Sequence, residues 1–75
     1  MNFLSKQDLI NYINQQFGIN IKNEKHHLND NPNILYAEIP LKYKNSVVSR
    51  LKRRSIRIEE HLKNKYWIWL INKED

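Results

Sequence analysis

Cysteine is absent from the 75-residue sequence, which excludes a disulfide framework, a thiolate metal site and a thiol nucleophile. That fits a reducing compartment, and a cytoplasmic location is the expectation. Also missing is an N-terminal basic segment followed by an apolar one, so no signal peptide is expected. No apolar stretch approaches the ~20 residues that a membrane-spanning helix needs, and a membrane is not among the expected partners. Low-complexity tracts and interdomain linkers are lacking, and glycine occurs only once. A chain of this length makes one domain with a modest core, here expected to cover residues 1–75. Self-association is one route to further stability for so small a core, and a homodimer is an expectation of that kind.

What the sequence has in excess is positive charge. Thirteen Lys and Arg against eight Asp and Glu leave a formal charge of +5, with a pI near 9.6. Such a balance favours anionic partners, either a nucleic acid (DNA or RNA) or an acidic protein surface. At 40% hydrophobic and 28% charged residues the chain is too apolar to be disordered. Its apolar residues gather most densely in Tyr66-Trp67-Ile68-Trp69-Leu70-Ile71. This aromatic and β-branched run reads as a strand buried at least partly on both faces. Alternation puts Tyr66, Ile68 and Leu70 on one face, and Trp67, Trp69 and Ile71 on the other.

Earlier in the chain, Ser5-Lys6-Gln7-Asp8 is a helix start with Ser5 as N-cap, and Leu4 can staple onto Leu9. Leu9, Ile10, Ile13 and Phe17 recur at helical spacing, and Gly18 sits where a left-handed C-cap belongs. Residues 19–25 begin with alternation and predict a strand. Asn29-Asp30-Asn31-Pro32-Asn33 predicts a loop. Residues 34–39 predict a second strand, with Leu35, Ala37 and Ile39 on one face, and Pro40 ends it. A helical period returns over residues 41–54, where Tyr43, Val47 and Leu51 form an apolar stripe with Val48 beside it. Its start is assigned either to Pro40 in the first turn or to Asn45 as the cap of a shorter helix. Residues 55–59 predict a third strand, and residues 62–65 the turn into the last. The expected fold is a small single α+β domain, ordered α-β-β-α-β-β, with an antiparallel sheet and two helices on one face. Ile19-x-Ile21 leading to His27-Leu28, against Ile56-x-Ile58 leading to His61-Leu62, forms a faint internal repeat.

The basic cluster carries the clearest functional signal. On the second helix Lys42, Ser46, Ser49 and Arg53 are spaced to share one face, with Asn45 and Lys52 beside them and Arg50 flanking the apolar stripe. Arg57 follows on the next strand, and Lys63 and Lys65 lie in the last turn. Aligned cations and hydroxyls are what phosphate contacts need. The opposing reading is a solvated helix face whose terminal cations favour the macrodipole by ~0.3–1 kcal/mol each.

The second signal is aromatic. With both helices on one side of the sheet, the open side shows one face of the last strand, near Tyr36 and Arg57. Two tryptophans there expose roughly 300–500 Å², near the upper limit for a monomer. Tyr36, Trp67 and Trp69 are therefore interface candidates, for a second copy or as a stacking platform for single-stranded nucleic acid. Core packing is the bland alternative. His26 and His27, with Glu24 and Asp30 nearby, lack a third ligand at metal-binding spacing. They read as loop residues, and His61 beside Glu59 and Glu60 reads as a solvated turn residue. No metal, no cofactor and no catalytic residue is assigned, so an enzyme is the less favoured reading.

Two resemblances bear on function. Asp8-Leu9-Ile10, Lys25-His26-His27, Ala37-Glu38-Ile39-Pro40 and Val47-Val48-Ser49-Arg50-Leu51 resemble the HicA mRNA-interferase toxins. That family has a helix, a strand bearing Gly-Ser-His-His, a strand ending in Val-Pro and a basic helix. Here Glu24-Lys25 stands in place of the Gly-Ser, and the C-terminal hairpin is an addition. The resemblance implies RNA cleavage with a catalytic histidine at His27. Val48-Ser49-Arg50-Leu51-Lys52-Arg53-Arg54 followed by a hairpin is similar to the recognition helix and wing of winged-helix regulators. The expected function is non-enzymatic nucleic-acid binding through phosphates on the second helix. The alternatives are a small protein-binding inhibitor or regulator of phage or plasmid type, and a HicA-like ribonuclease.

Overall fold

The first helix forms where its capping signals stand. The computed structural model describes residues 5–28 and 30–70, and α1 spans Lys6–Phe17. The Ser5 side chain accepts the Asp8 N–H at 3.1 Å. Gly18, at φ 67°, closes the helix by donating its N–H to the Asn14 carbonyl. A Cβ at Gly18 would meet nothing within 4 Å, so the left-handed backbone and not space asks for glycine here. Leu9, Ile10 and Ile13 are buried. The expected staple through Leu4 lies outside the described residues.

Residues 19–25 do not form the strand that their first alternating residues predict. The Asn14 side chain takes both backbone groups of Ile21, accepting its N–H at 2.8 Å and donating to its carbonyl at 3.2 Å. Those groups are thereby withdrawn from any ladder. What remains is one backbone hydrogen bond, Glu24 N–H to the Tyr36 carbonyl at 2.8 Å, and an isolated bridge at His26. The segment lies along the sheet as extended chain.

The sheet is three-stranded and antiparallel, in the order β1-β3-β2, with β1 at Ile34–Glu38, β2 at Ile58–Glu60 and β3 at Lys65–Trp69. The central strand therefore comes last in sequence. It pairs Tyr36 with Trp67 on one side and Glu59 with Trp67 on the other. Between β1 and β2, Pro40 starts a 3-10 turn over Leu41–Tyr43 that runs directly into α2, Lys44–Arg53. Asn45 is thus inside the helix and not its cap.

The end of α2 is set by a Schellman arrangement. Ile56 N–H bonds to the Leu51 carbonyl at 2.9 Å and Ser55 N–H to the Lys52 carbonyl at 3.0 Å. Ser55 sits at φ 61°, the position where glycine is usual. Asn64, at φ 64°, makes the hairpin turn between β2 and β3.

One face of the sheet carries the core. Leu35, Ala37, Ile58, Tyr66, Ile68 and Leu70 meet Leu9, Ile10 and Ile13 of α1 and Val47 and Leu51 of α2 in a single buried cluster. Both helices thus cover the same face, in a small α+β domain. The apolar stripe of α2 lies as its spacing predicts, with Val47 and Leu51 fully buried and Tyr43 packed at the margin. Among the described residues, no helix is long and apolar enough to cross a membrane.

Two substitutions follow from this packing. Leu51→Ala should destabilise the domain by about 2–5 kcal/mol through the cavity it leaves, read from the midpoint of urea unfolding. Ser55→Gly should stabilise it by up to about 1 kcal/mol. The relief of a left-handed L-residue exceeds the extra freedom that glycine gives the unfolded chain, and the same titration reads the gain.

Candidate nucleic-acid interface

Charge is unevenly distributed along this chain. From Ile39 to Ile58 there are seven Lys and Arg residues and no Asp or Glu. That stretch contains α2, whose last turn carries Arg50, Lys52 and Arg53. Asn45, Ser46, Ser49, Arg50 and Arg53 line one shallow surface depression, with Phe17 at the end of α1 forming its far wall. Ser46, Ser49, Lys52 and Arg53 are exposed. Helical spacing thus groups Ser46, Ser49 and Arg53 as expected. Lys42 stands apart in the 3-10 turn, with its ammonium 5.7 Å from the centre of the Tyr43 ring.

Arg50 has a second task. Its guanidinium donates to Gln16 Oε1 at 2.8 Å and lies 5.4 Å from the centre of the Phe17 ring. Arg54 stacks in the same manner over Tyr12, at 4.7 Å. These two arginines fasten α2 to α1, while Lys52 and Arg53 are exposed.

The remaining basic candidates lie on or beside the outer face of the sheet, and two are engaged by carboxylates. Lys65 bridges Glu24 and Glu38, the latter at 3.3 Å. The hydrogen bond that Lys65 donates to the Glu24 carboxylate raises the Lys65 pKa above its ordinary value, against partial desolvation. On the alkaline side its ion pairs therefore persist until pH rises through that raised value. Arg57 is bound to Glu59, at 2.6 Å from Nη2 and 2.9 Å from Nε, and lies 4.2 Å from the centre of the Trp69 ring. Lys63 is exposed in the hairpin turn.

The outer face also gathers what the sequence leaves scattered. His26, Tyr36, His61 and Trp67 form a contiguous ring cluster with centroid separations of 4.4–5.6 Å. His27 stacks on His26 at 4.8 Å. All three histidines of the chain are in it. The Tyr36 hydroxyl and His61 Nδ1 share a hydrogen bond of 2.9 Å, and His26 Nδ1 accepts the Leu28 N–H at 3.1 Å. Tyr36 is only 4% exposed. Its ring is taken up by these neighbours, and Trp67 and Trp69, half-buried, are the accessible members of the aromatic set.

The histidine cluster was not legible as a unit. One signal for it was present: Arg57, Glu59 and His61 alternate with the inward Ile56 and Ile58, which carries the outer face one residue past β2. The repeat that equates His27-Leu28 with His61-Leu62 was another. Among the described residues, no group of three or more His, Asp or Glu side chains is placed to hold a metal ion.

Neither resemblance gains from the geometry. The segment bearing His26 and His27 is a bridge and turn, not the strand that HicA-like toxins place there. The 3-10 turn passes into α2 without a break, so no separate helix and turn precede the basic helix as helix-turn-helix docking requires.

Tyr36→Phe should leave the fold unchanged and cost about 0.5–1.5 kcal/mol, the usual net value of one hydrogen bond, measured by urea unfolding at pH 7.5. Comparison of the chain with protein-family models, with curated proteins and with solved structures returns no match.

Proposed function

We propose that this protein binds nucleic acid by contacting phosphates through the exposed side of α2. The observation that carries the reading is a surface that combines Asn45, Ser46, Ser49 and Arg53 in one depression, within a stretch that has seven cations and no carboxylate. Hydroxyl, amide and guanidinium donors in that arrangement suit phosphate oxygens. Lys44 and Arg57 of that stretch are paired with Glu60 and Glu59, and the cations left over favour encounter with a polyanion. On the outer sheet face, by contrast, Lys65 and Arg57 are matched by Glu24, Glu38 and Glu59. That face therefore adds little to a phosphate footprint.

In this reading Lys52 and Arg53 make the working contacts, while Arg50 serves the helix–helix junction. Recognition by such contacts is indifferent to base sequence, because phosphates position a protein without identifying bases. Lys52→Ala and Arg53→Ala should each weaken binding to a generic labelled oligonucleotide with the fold intact. Each should also reduce the slope of log K against log salt by about one unit. Arg50→Ala should instead lower the unfolding midpoint. Fluorescence anisotropy across a salt series reads the first effect, and absence of wild-type binding at low salt would overturn the reading.

A further inference from the structure

We propose that His26 is a pH-sensitive latch: as a neutral imidazole it fastens residues 22–28 across the outer face of the sheet, and its protonation releases that segment and uncovers Tyr36 and Trp67. The geometry requires the neutral form. His26 Nδ1 accepts the Leu28 N–H, so the ring's one proton is on Nε2. A proton added at Nδ1 replaces the acceptor by a donor facing another donor, and the turn that places the ring loses its bond.

The surroundings offer an imidazolium no compensation. From its own segment His26 faces His27, and from beyond β2 it faces His61, at ring separations of 4.8 and 5.2 Å. From β1 and β3 it meets the rings of Tyr36 and Trp67, each at 4.8 Å and steeply inclined. The glutamates of these elements are already paired with cations, Glu24 and Glu38 with Lys65, Glu59 with Arg57, and Glu60 with Lys44, and Lys6 of α1 lines the same depression as His26 and His27. Lys25, next in the chain, adds like charge. Desolvation, and then the neighbouring His27 and His61, lower the His26 pKa from its ordinary value. Docking of the segment is therefore at full strength above the ordinary histidine value. It weakens as pH falls through that value and levels off below the lowered one.

The rest of the attachment is slight. Beyond Ile21, the segment is tied to the sheet by the Glu24 N–H to the Tyr36 carbonyl, by the Glu24–Lys65 ion pair and by the isolated bridge at His26 itself. A modest change at His26 is enough to shift such a local opening, which lies far below the cost of global unfolding.

Amide hydrogen exchange of the full chain, followed by NMR between pH 8 and pH 5 and corrected for intrinsic rates, tests this. Protection of the Glu24 amide should fall several-fold on acidification while the β3 amides keep theirs. In His26→Asn the side-chain oxygen can still accept the Leu28 N–H but does not titrate, and Glu24 protection should become independent of pH. Imidazole 15N shifts of the wild type should place the neutral His26 proton on Nε2. Flat Glu24 protection in the wild type, an unchanged pH dependence in His26→Asn, or the opposite tautomer would each overturn the latch.

Discussion

Everything in this fold hangs on β3, a strand that must satisfy two faces at once. Its backbone is paired on both sides, with β1 and with β2, so it has no free edge from which to fray. Tyr66, Ile68 and Leu70 are at most 2% exposed and form the floor on which both helices pack. Trp67 and Trp69 project the other way. The five residues of β3 and the Leu70 that follows them thus supply the core with three anchors and the outer face with its two largest rings. Because β3 lies between strands that precede it in the chain, neither hairpin nor crossover is complete until the C-terminal segment inserts. The cooperativity of so small a domain follows from that topology.

The second constraint is how charge is sorted around this strand. Four glutamates at the strands and their flanks are paired with cations: Glu38 lies opposite Lys65 in register, Glu24 reaches the same ammonium, Glu59 holds Arg57 and Glu60 reaches Lys44. Cross-strand and flanking pairs of this kind are exposed or half-exposed and contribute at most about 1 kcal/mol each. Their larger effect is on distribution. By absorbing cations near the sheet they leave the surplus of the chain concentrated on α2, where Lys52 and Arg53 have no carboxylate within their own stretch of sequence.

The sequence was readable wherever a local rule and the tertiary context agreed. Ser5 and Gly18 bracket α1, the Tyr43-Val47-Leu51 stripe of α2 faces the core, and the alternation of β1 and β3 assigns their faces correctly. It was unreadable where a side chain overrode the backbone. Ile19 and Ile21 alternate as a strand would, but the Asn14 amide claims both polar groups of Ile21, an interaction across seven residues that no periodicity displays. Ser55 gave no warning of a left-handed C-cap, since serine carries no preference for it. In the sequence His26-His27 reads as a loop pair and His61, far along the chain, as a turn residue. Their meeting depends on β3 bringing Trp67 between Tyr36 and Glu59, a long-range register that only the assembled sheet provides.

The two surfaces of this molecule answer to different physical variables. On α2 the charged groups are Lys and Arg, which keep their charge across the whole physiological range and weaken with added salt. On the outer sheet face imidazoles and aromatic rings lie beside the Lys65 and Arg57 ion pairs, and His26 adds a dependence on proton activity that α2 lacks. The sheet separates the faces, and the Arg50 and Arg54 junction ties α2 to α1 rather than to the histidines. A shift in pH through the histidine range therefore acts on the segment at residues 22–28 and leaves the charge on α2 unchanged. Added salt weakens phosphate contacts on α2 and also the Glu24–Lys65 pair that helps to hold the segment, so pH is the variable that addresses the segment without altering α2.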